Sequence, residues 1–202
     1  MEYERSLPEQ RSSLLPDPPL AREFFGSARF AWVWLVLRAY LGWQWLEAGR
    51  NKIADDAWMD GGVALKGFWE RVVEVPEQGR PTITYGWYRE FLTYMLDQGW
   101  YAWFAKVVAV SEVLIGIALI LGLFTGIAAF GGSFLNFNFM LAGTASMNPV
   151  LFTLAVLLML AWKSAGWIGL DRWVLPFAGT PWSRGYVFGR ANSRREPITR
   201  LT

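Results

Sequence analysis

Apolar residues dominate four stretches of the chain, each close to the roughly 20 residues that a helix needs to cross a hydrocarbon layer. The pattern predicts helices at about 30–49, 102–122, 124–142 and 149–170. From Val113 to Trp162 there is no Asp, Glu, Lys or Arg, and this run divides only at two small-residue breaks, LGLFTG and AGTASMNP. In the second break Asn148 reads as an N-cap and Pro149 as the first helical residue, a sharp start signal for the last helix. The connection between the first two helices, residues 50–101, is long but not of low complexity. Asp56 to Val73 mixes Trp58, Val63, Leu65, Phe68, Trp69 and Val72 with charges, as interfacial helical pieces do, and PEQGRPTITYGW follows as a turn-rich connector. Residues 1–28, with Pro16, Pro18 and Pro19, read as a polar tail in which Leu20 to Phe25 can form a short amphipathic piece on a membrane surface. Residues 177–202 read as an Arg-rich C-terminal tail. The expected fold is therefore an all-α integral membrane protein, a four-transmembrane-helix bundle over 29–176 with a long, partly helical loop between its first two helices.

Composition agrees with that class: 53% of the residues are hydrophobic and 13 are tryptophans, which cluster toward the ends of the expected spans as an aromatic belt. Orientation follows from the basic residues. Arg5, Arg11, Arg22 and Arg29 precede the first helix and Arg172, Arg184, Arg190, Arg194, Arg195 and Arg200 follow the last, whereas the six basic residues of 50–101 are accompanied by eight acids. Both termini are expected in the cytoplasm and the long loop outside. A net charge of +2 with interleaved signs gives no footprint for nucleic acid. The chain has no cysteine and no histidine, which excludes disulfides, Fe–S ligation and the usual haem and metal ligands. Redox chemistry here would need a diffusible cofactor or a partner chain.

Charges inside the apolar stretches are then the informative residues. On the first helix Arg38, Gly42, Trp45, Gly49 and Lys52 fall on one stripe, which combines charge, close-approach glycines and an aromatic ring and so must face inward. Arg38 lies ~12 Å from one end of its helix and Glu112 ~15 Å from the opposite end of the next, so an antiparallel pair is expected to bring them to one level, where an unpaired charge is costly. They would serve either as a static ion pair fixing register or as the polar floor of a cavity that binds a quinone head group or relays protons. On the third helix Gly132, Asn136, Met140 and Gly143 form the inward stripe, and Asn136 can bond a carbonyl ligand or a neighbouring helix. No GxGxxG, Walker, zinc-spacing or serine–base constellation occurs.

The blocks LRAYLGWQWLEAGRNKI, ALKGFW, AWFAKVVAVSEVLIGIALILGLFTGIAAFGG, NFNFMLAGTASMNP and AWKSAGWIGLDRWVLP, in this order, resemble the DoxX/DoxD membrane-protein family, and in particular its thiosulfate:quinone oxidoreductase DoxD-type branch. The likeness runs from about Arg38 to Pro176. It implies a four-helix bundle in a prokaryotic cytoplasmic membrane and, for that branch, passage of electrons from thiosulfate to quinone with a second, small subunit. Arg38, Gly42, Gly49, Lys52, Glu112 and Gly116 match the family's pattern. The leading expectation is a quinone-associated oxidoreductase subunit in which Arg38, Trp45, Glu112 and Asn136 line a lipid-accessible pocket, with Arg38 and Glu112 in the proton or head-group role. The alternative is a non-catalytic accessory subunit of a larger respiratory or photosynthetic membrane complex, its tails docking a partner or anionic membrane lipids.

Overall fold

The computed structural model of the chain describes residues 17–178, and the N-terminal residues and Arg-rich C-terminal segment outside that range, Arg5, Arg11, Arg184, Arg190, Arg194, Arg195 and Arg200 included, lie beyond the described residues. All regular structure within it is helical: α1 (Pro19–Gly26), α2 (Ala31–Ile53), α3 (Asp56–Met59), α4 (Val63–Val73), α5 (Gly86–Asp97), α6 (Tyr101–Leu121), α7 (Thr125–Leu141), α8 (Asn148–Leu160), α9 (Trp162–Ala165) and α10 (Asp171–Val174), with short 3-10 turns at Ala28–Phe30 and Leu175–Ala178. The first three long helices start within a residue of the expected positions. α2 runs on to Ile53, four residues past the predicted 49, because nothing in LEAGRNKI breaks a helix and the stripe continues to Lys52.

α2 and α6 pack antiparallel and almost backbone to backbone. A Cβ on Gly42 would lie 2.9 Å from the Gly116 carbonyl oxygen, and one on Gly49 would lie 2.7 Å from the Val113 nitrogen. One on Gly116 would lie 2.5 Å from the Leu46 nitrogen. The expected small-residue seam is thus real, and only glycine permits it. α7 and α8 complete the bundle: Ala128 and Ala129 of α7 and Ala155 and Leu158 of α8, with Ala161 and Ala165 just after, are buried with Trp34, Leu41, Trp45 and Leu119 in one core.

The last helix is shorter than the expected 149–170. α8 ends at Leu160, Ala161 leaves helical geometry at φ −93°, ψ 14°, and after the single turn of α9 the chain passes through Gly166 and Gly169 as a strap. The strap's position explains the break. Leu170 and Asp171 donate their backbone N–H groups to the carbonyls of Leu121 and Gly122 at 3.1 and 2.8 Å, so the segment must leave the helix axis to seal the α6–α7 turn. Asn148 is also not the expected N-cap: it is the first helical residue, and its side-chain amide donates to the Thr144 carbonyl at 3.0 Å.

The segment between α2 and α6 forms a cap with a core of its own. Leu65, Trp69 and Val72 of α4 meet Tyr88, Leu92 and Met95 of α5 over Ile83, Ala105 and Ala142. At the opposite end of the bundle α1 folds back, with the Trp34 indole donating to the Phe24 carbonyl at 3.1 Å and the Ser164 hydroxyl to the Phe25 carbonyl at 2.6 Å. The bundle's outer surface stays apolar: Trp32, Val36, Tyr40 and Trp43 of α2, Leu114 and Ile117 of α6, and Ile127, Phe130, Phe134 and Phe137 of α7 are exposed. Among the described helices α6 is by itself long and apolar enough to cross a membrane, and α8 is a shorter apolar helix.

Candidate functional site

The stripe on α2 divides between two separate polar clusters. Gly42 faces Gly116 to Ile120 and Gly49 faces Ala109 to Val113. In that register Arg38 is level with Gly122, and Glu112 with the neighbourhood of Gly49, about ten residues or 15 Å further along the axis. The expected Arg38–Glu112 pair therefore does not form. Side-chain direction reinforces the separation, because Cα–Cβ bonds tilt toward a helix's own N-terminus. In an antiparallel pair Arg38 leans toward the α1 end and Glu112 toward the cap.

Lys52, by contrast, lies on the cap side of Glu112 and leans back toward it. Its Nζ donates to both carboxylate oxygens, Oε1 at 2.9 Å and Oε2 at 2.7 Å, and sits 5.1 Å from the centre of the Trp58 ring. The Glu112 side chain is 1% exposed and the Lys52 side chain 19%. Lys52 was on the predicted stripe, but its role as the partner of Glu112 needed the helix register.

Arg38 instead holds the strap. Its Nη2 donates to the Ile168 carbonyl at 2.7 Å, and a Cβ on Gly122, whose φ of +66° also favours glycine, would collide with the guanidinium. Asp171, a residue sequence reasoning missed, supplies the nearby negative charge. It also accepts the backbone N–H groups of Phe124 at 2.6 Å and Thr125 at 2.9 Å, capping α7 from 46 residues away. No local spacing signals so distant a cap.

Toward the cap lies a cavity of about 510 Å³ between α2, α6, α7, the start of α8 and the helices α4 and α5. Trp45, Glu112 and Asn136 line it, and Arg38 does not. Its walls are aromatic, including Trp58, Phe68, Trp69, Phe104 and Phe139, and among the described residues its charged lining residues are Lys52 and Glu112, which are bonded to each other. Asn136 is fully buried, and both its amide nitrogen and its carbonyl oxygen lack a partner; the indole Nε1–H of Trp45 is likewise buried and unpartnered. Asn138 also lines the cavity but is bonded: its amide donates to the Phe134 carbonyl, and its own carbonyls accept from the Tyr88 hydroxyl, the backbone oxygen at 3.1 Å. Burial pushes the Tyr88 phenol up to about 12. Buried groups that leave hydrogen-bonding capacity unused are rare and costly, and both belong to residues that line the cavity.

The helical bundle, its apolar exterior and this aromatic cavity define a class, the small α-helical bundle protein with an internal ligand-sized chamber. The sequence model of the DoxX family matches residues 33–145, more than half of the chain, and the protein belongs to that family of membrane proteins. No curated protein and no solved structure matches the chain.

Proposed function

We propose that the protein is a quinone-associated subunit of a membrane oxidoreductase, of thiosulfate:quinone type, whose electron donor resides on a partner chain. In this reading α2, α6, α7 and α8 cross a prokaryotic cytoplasmic membrane, both termini are cytoplasmic, and the α3–α5 cap lies outside. The apolar outer faces of α2, α6 and α7 support immersion in lipid, since monomeric soluble proteins seldom expose so much contiguous apolar surface.

The observation that carries the ligand assignment is the pair of unpartnered buried groups, Asn136 and the Trp45 indole N–H, in the wall of an aromatic cavity. A quinone head group fits them: it is flat and apolar on its faces and carries carbonyl acceptors at its edge, the complement of ring-lined walls with a few fixed donors. When bound, a quinone supplies the acceptance of two electrons and two protons. Trp45 and Asn136 orient the head group by donation from Nε1 and the amide nitrogen. Glu112 exchanges a proton at its carboxylate, and Lys52 balances the carboxylate's charge whenever that proton is absent. Because the chain has neither cysteine nor histidine, the sulfur chemistry and any metal relay belong to the partner.

The test is to purify the protein gently from its native membrane and measure extracted quinone per polypeptide for the wild type, Asn136→Leu and Trp45→Phe. The wild type should approach one quinone per chain. Each variant should retain about ten-fold less, the loss expected for one unmade hydrogen bond to a buried group. A quinone content no higher than that of the surrounding lipid would overturn the reading.

A further inference from the structure

The cavity's charge balance and its mouth restrict what can occupy it more narrowly than the ligand class does. Among the lining residues the charged ones are Lys52 and Glu112, and each neutralises the other. Among the described lining residues an anion would find no free cation, and a cation no free carboxylate. What remains unsatisfied is neutral: the Trp45 N–H donor and the two ends of the Asn136 amide. The head group that completes this wall is uncharged and carries hydrogen-bond acceptors.

The mouth is defined by exposure. Of the lining residues only Phe91 on α5 and Phe134 on α7 are exposed, at 47% and 58%. Phe134 lies near the middle of α7, nine residues after its start at Thr125 and seven before its end at Leu141. The most exposed part of the lining therefore lies on the flank of the bundle, beside the middle of α7. It continues the exposed apolar stripe of Ile127, Phe130 and Phe137. Beside it the Tyr88 hydroxyl ties α5 to α7 at Asn138, and the Tyr88 and Phe91 rings stand 6.0 Å apart, so the edge of the mouth is fixed by a hydrogen bond. Asn136 sits two residues from Phe134, about 3 Å along the axis, on the buried side of the same helix.

We infer that the chamber binds a neutral amphiphile that enters from the lipid, its acceptor-bearing head group against Trp45 and Asn136 and its long apolar chain leaving between Phe91 and Phe134. The inference rests on the quinone reading for the choice of probe. It excludes the chamber as the site of a sulfur oxoanion, which would have to bind on the partner.

A long tail concentrates any probe in a membrane, so labelling locates the tail where affinity does not. The full chain in lipid nanodiscs is photolysed with two decyl-quinones, one carrying a diazirine next to the ring and one at the tail end, and the labelled peptides are mapped by mass spectrometry. The ring-proximal probe should label around Trp45 and Asn136 and the tail-end probe around Phe91 and Phe134, with both patterns unchanged by millimolar thiosulfate. Ring labelling at Asn136 with tail labelling at Trp58 or Phe68 under the cap would overturn the flank portal while leaving quinone binding intact. Displacement by thiosulfate would overturn the neutral chamber. Absence of ring labelling from the chamber would overturn the quinone reading itself.

Discussion

Lys52 and Glu112 form a buried ion pair across the α2–α6 seam, with both carboxylate oxygens within 2.9 Å of one ammonium. Removing one member of such a pair strands the other, and the two members are not equally protected: the Glu112 side chain is 1% exposed and the Lys52 side chain 19%. Lys52→Met should therefore cost about 3 kcal/mol or more, and Glu112→Gln less, because the stranded lysine is the more exposed of the two. The double variant should lose clearly less than the sum. Unfolding of the detergent-solubilised protein checks this, and additive losses would show that the pair contributes no coupling.

Arg38 and Glu112 are predicted to behave oppositely. They are separated by roughly 15 Å along the seam and share no partner, so the losses of Arg38→Gln and Glu112→Gln should add to within about 0.5 kcal/mol. Arg38→Gln should have its own signature, since it frees the strap that its Nη2 holds at the Ile168 carbonyl. Protease cleavage within 166–170 should accelerate in that variant and stay unchanged in Glu112→Gln. Coupling above 1 kcal/mol between the two sites would contradict the register.

Periodicity made the inward stripe on α2 readable, because the face of a single helix depends only on spacing within that helix. What spacing could not supply was the sliding register of two helices, and a ten-residue offset exchanged the partner of Glu112 from Arg38 to Lys52. The tilt of side chains toward each helix's N-terminus was the available clue: in an antiparallel pair it draws Lys52 and Glu112 together and Arg38 and Glu112 apart. Asp171 and Tyr88 were hidden for a different reason. Each acts on a helix remote in sequence, Asp171 on the start of α7 and Tyr88 on Asn138, and neither residue has a local pattern that announces a long-range bond. The cap's core was similarly obscured, since α4 and α5 each look like surface helices until they face each other.

Tyr88 provides a test of the cap's attachment that depends on pH. With the phenol at about 12 in the folded protein and near 10 in an unfolded chain, the folded state keeps its proton to higher pH. The sign follows: this contribution to stability is fully present below about pH 10 and is lost as pH rises through the folded value. Tyr88→Phe removes the hydroxyl bond to the Asn138 carbonyl and should cost about 1 kcal/mol at neutral pH. Between pH 10 and 12 the variant should then lose less stability than the wild type. Parallel alkaline decline of the two proteins, followed by thermal unfolding, would show that the phenol keeps its ordinary pKa.

The glycine seam can be separated from ordinary helix propensity by comparing glycines that differ only in what surrounds them. At Gly49 an added Cβ would meet the Val113 backbone nitrogen at 2.7 Å, and at Gly116 it would meet the Leu46 nitrogen at 2.5 Å. Backbone atoms cannot swing aside as a side chain can, so α2 and α6 would have to part, and each alanine substitution should destabilise by about 1–3 kcal/mol. Gly67, inside α4, has nothing within 4 Å of its Cβ position, so alanine there only removes the entropic cost of glycine in a helix. Gly67→Ala should stabilise by roughly 0.5–1 kcal/mol. The seam substitutions should also perturb the chamber, because separating α2 from α6 moves Trp45 and Lys52 relative to Glu112; Gly49→Ala should lower quinone retention in parallel with its loss of stability, and Gly67→Ala should leave it at the wild-type level. Equal, small effects at all three positions would mean that the close approach of α2 and α6 is not what holds this end of the bundle together.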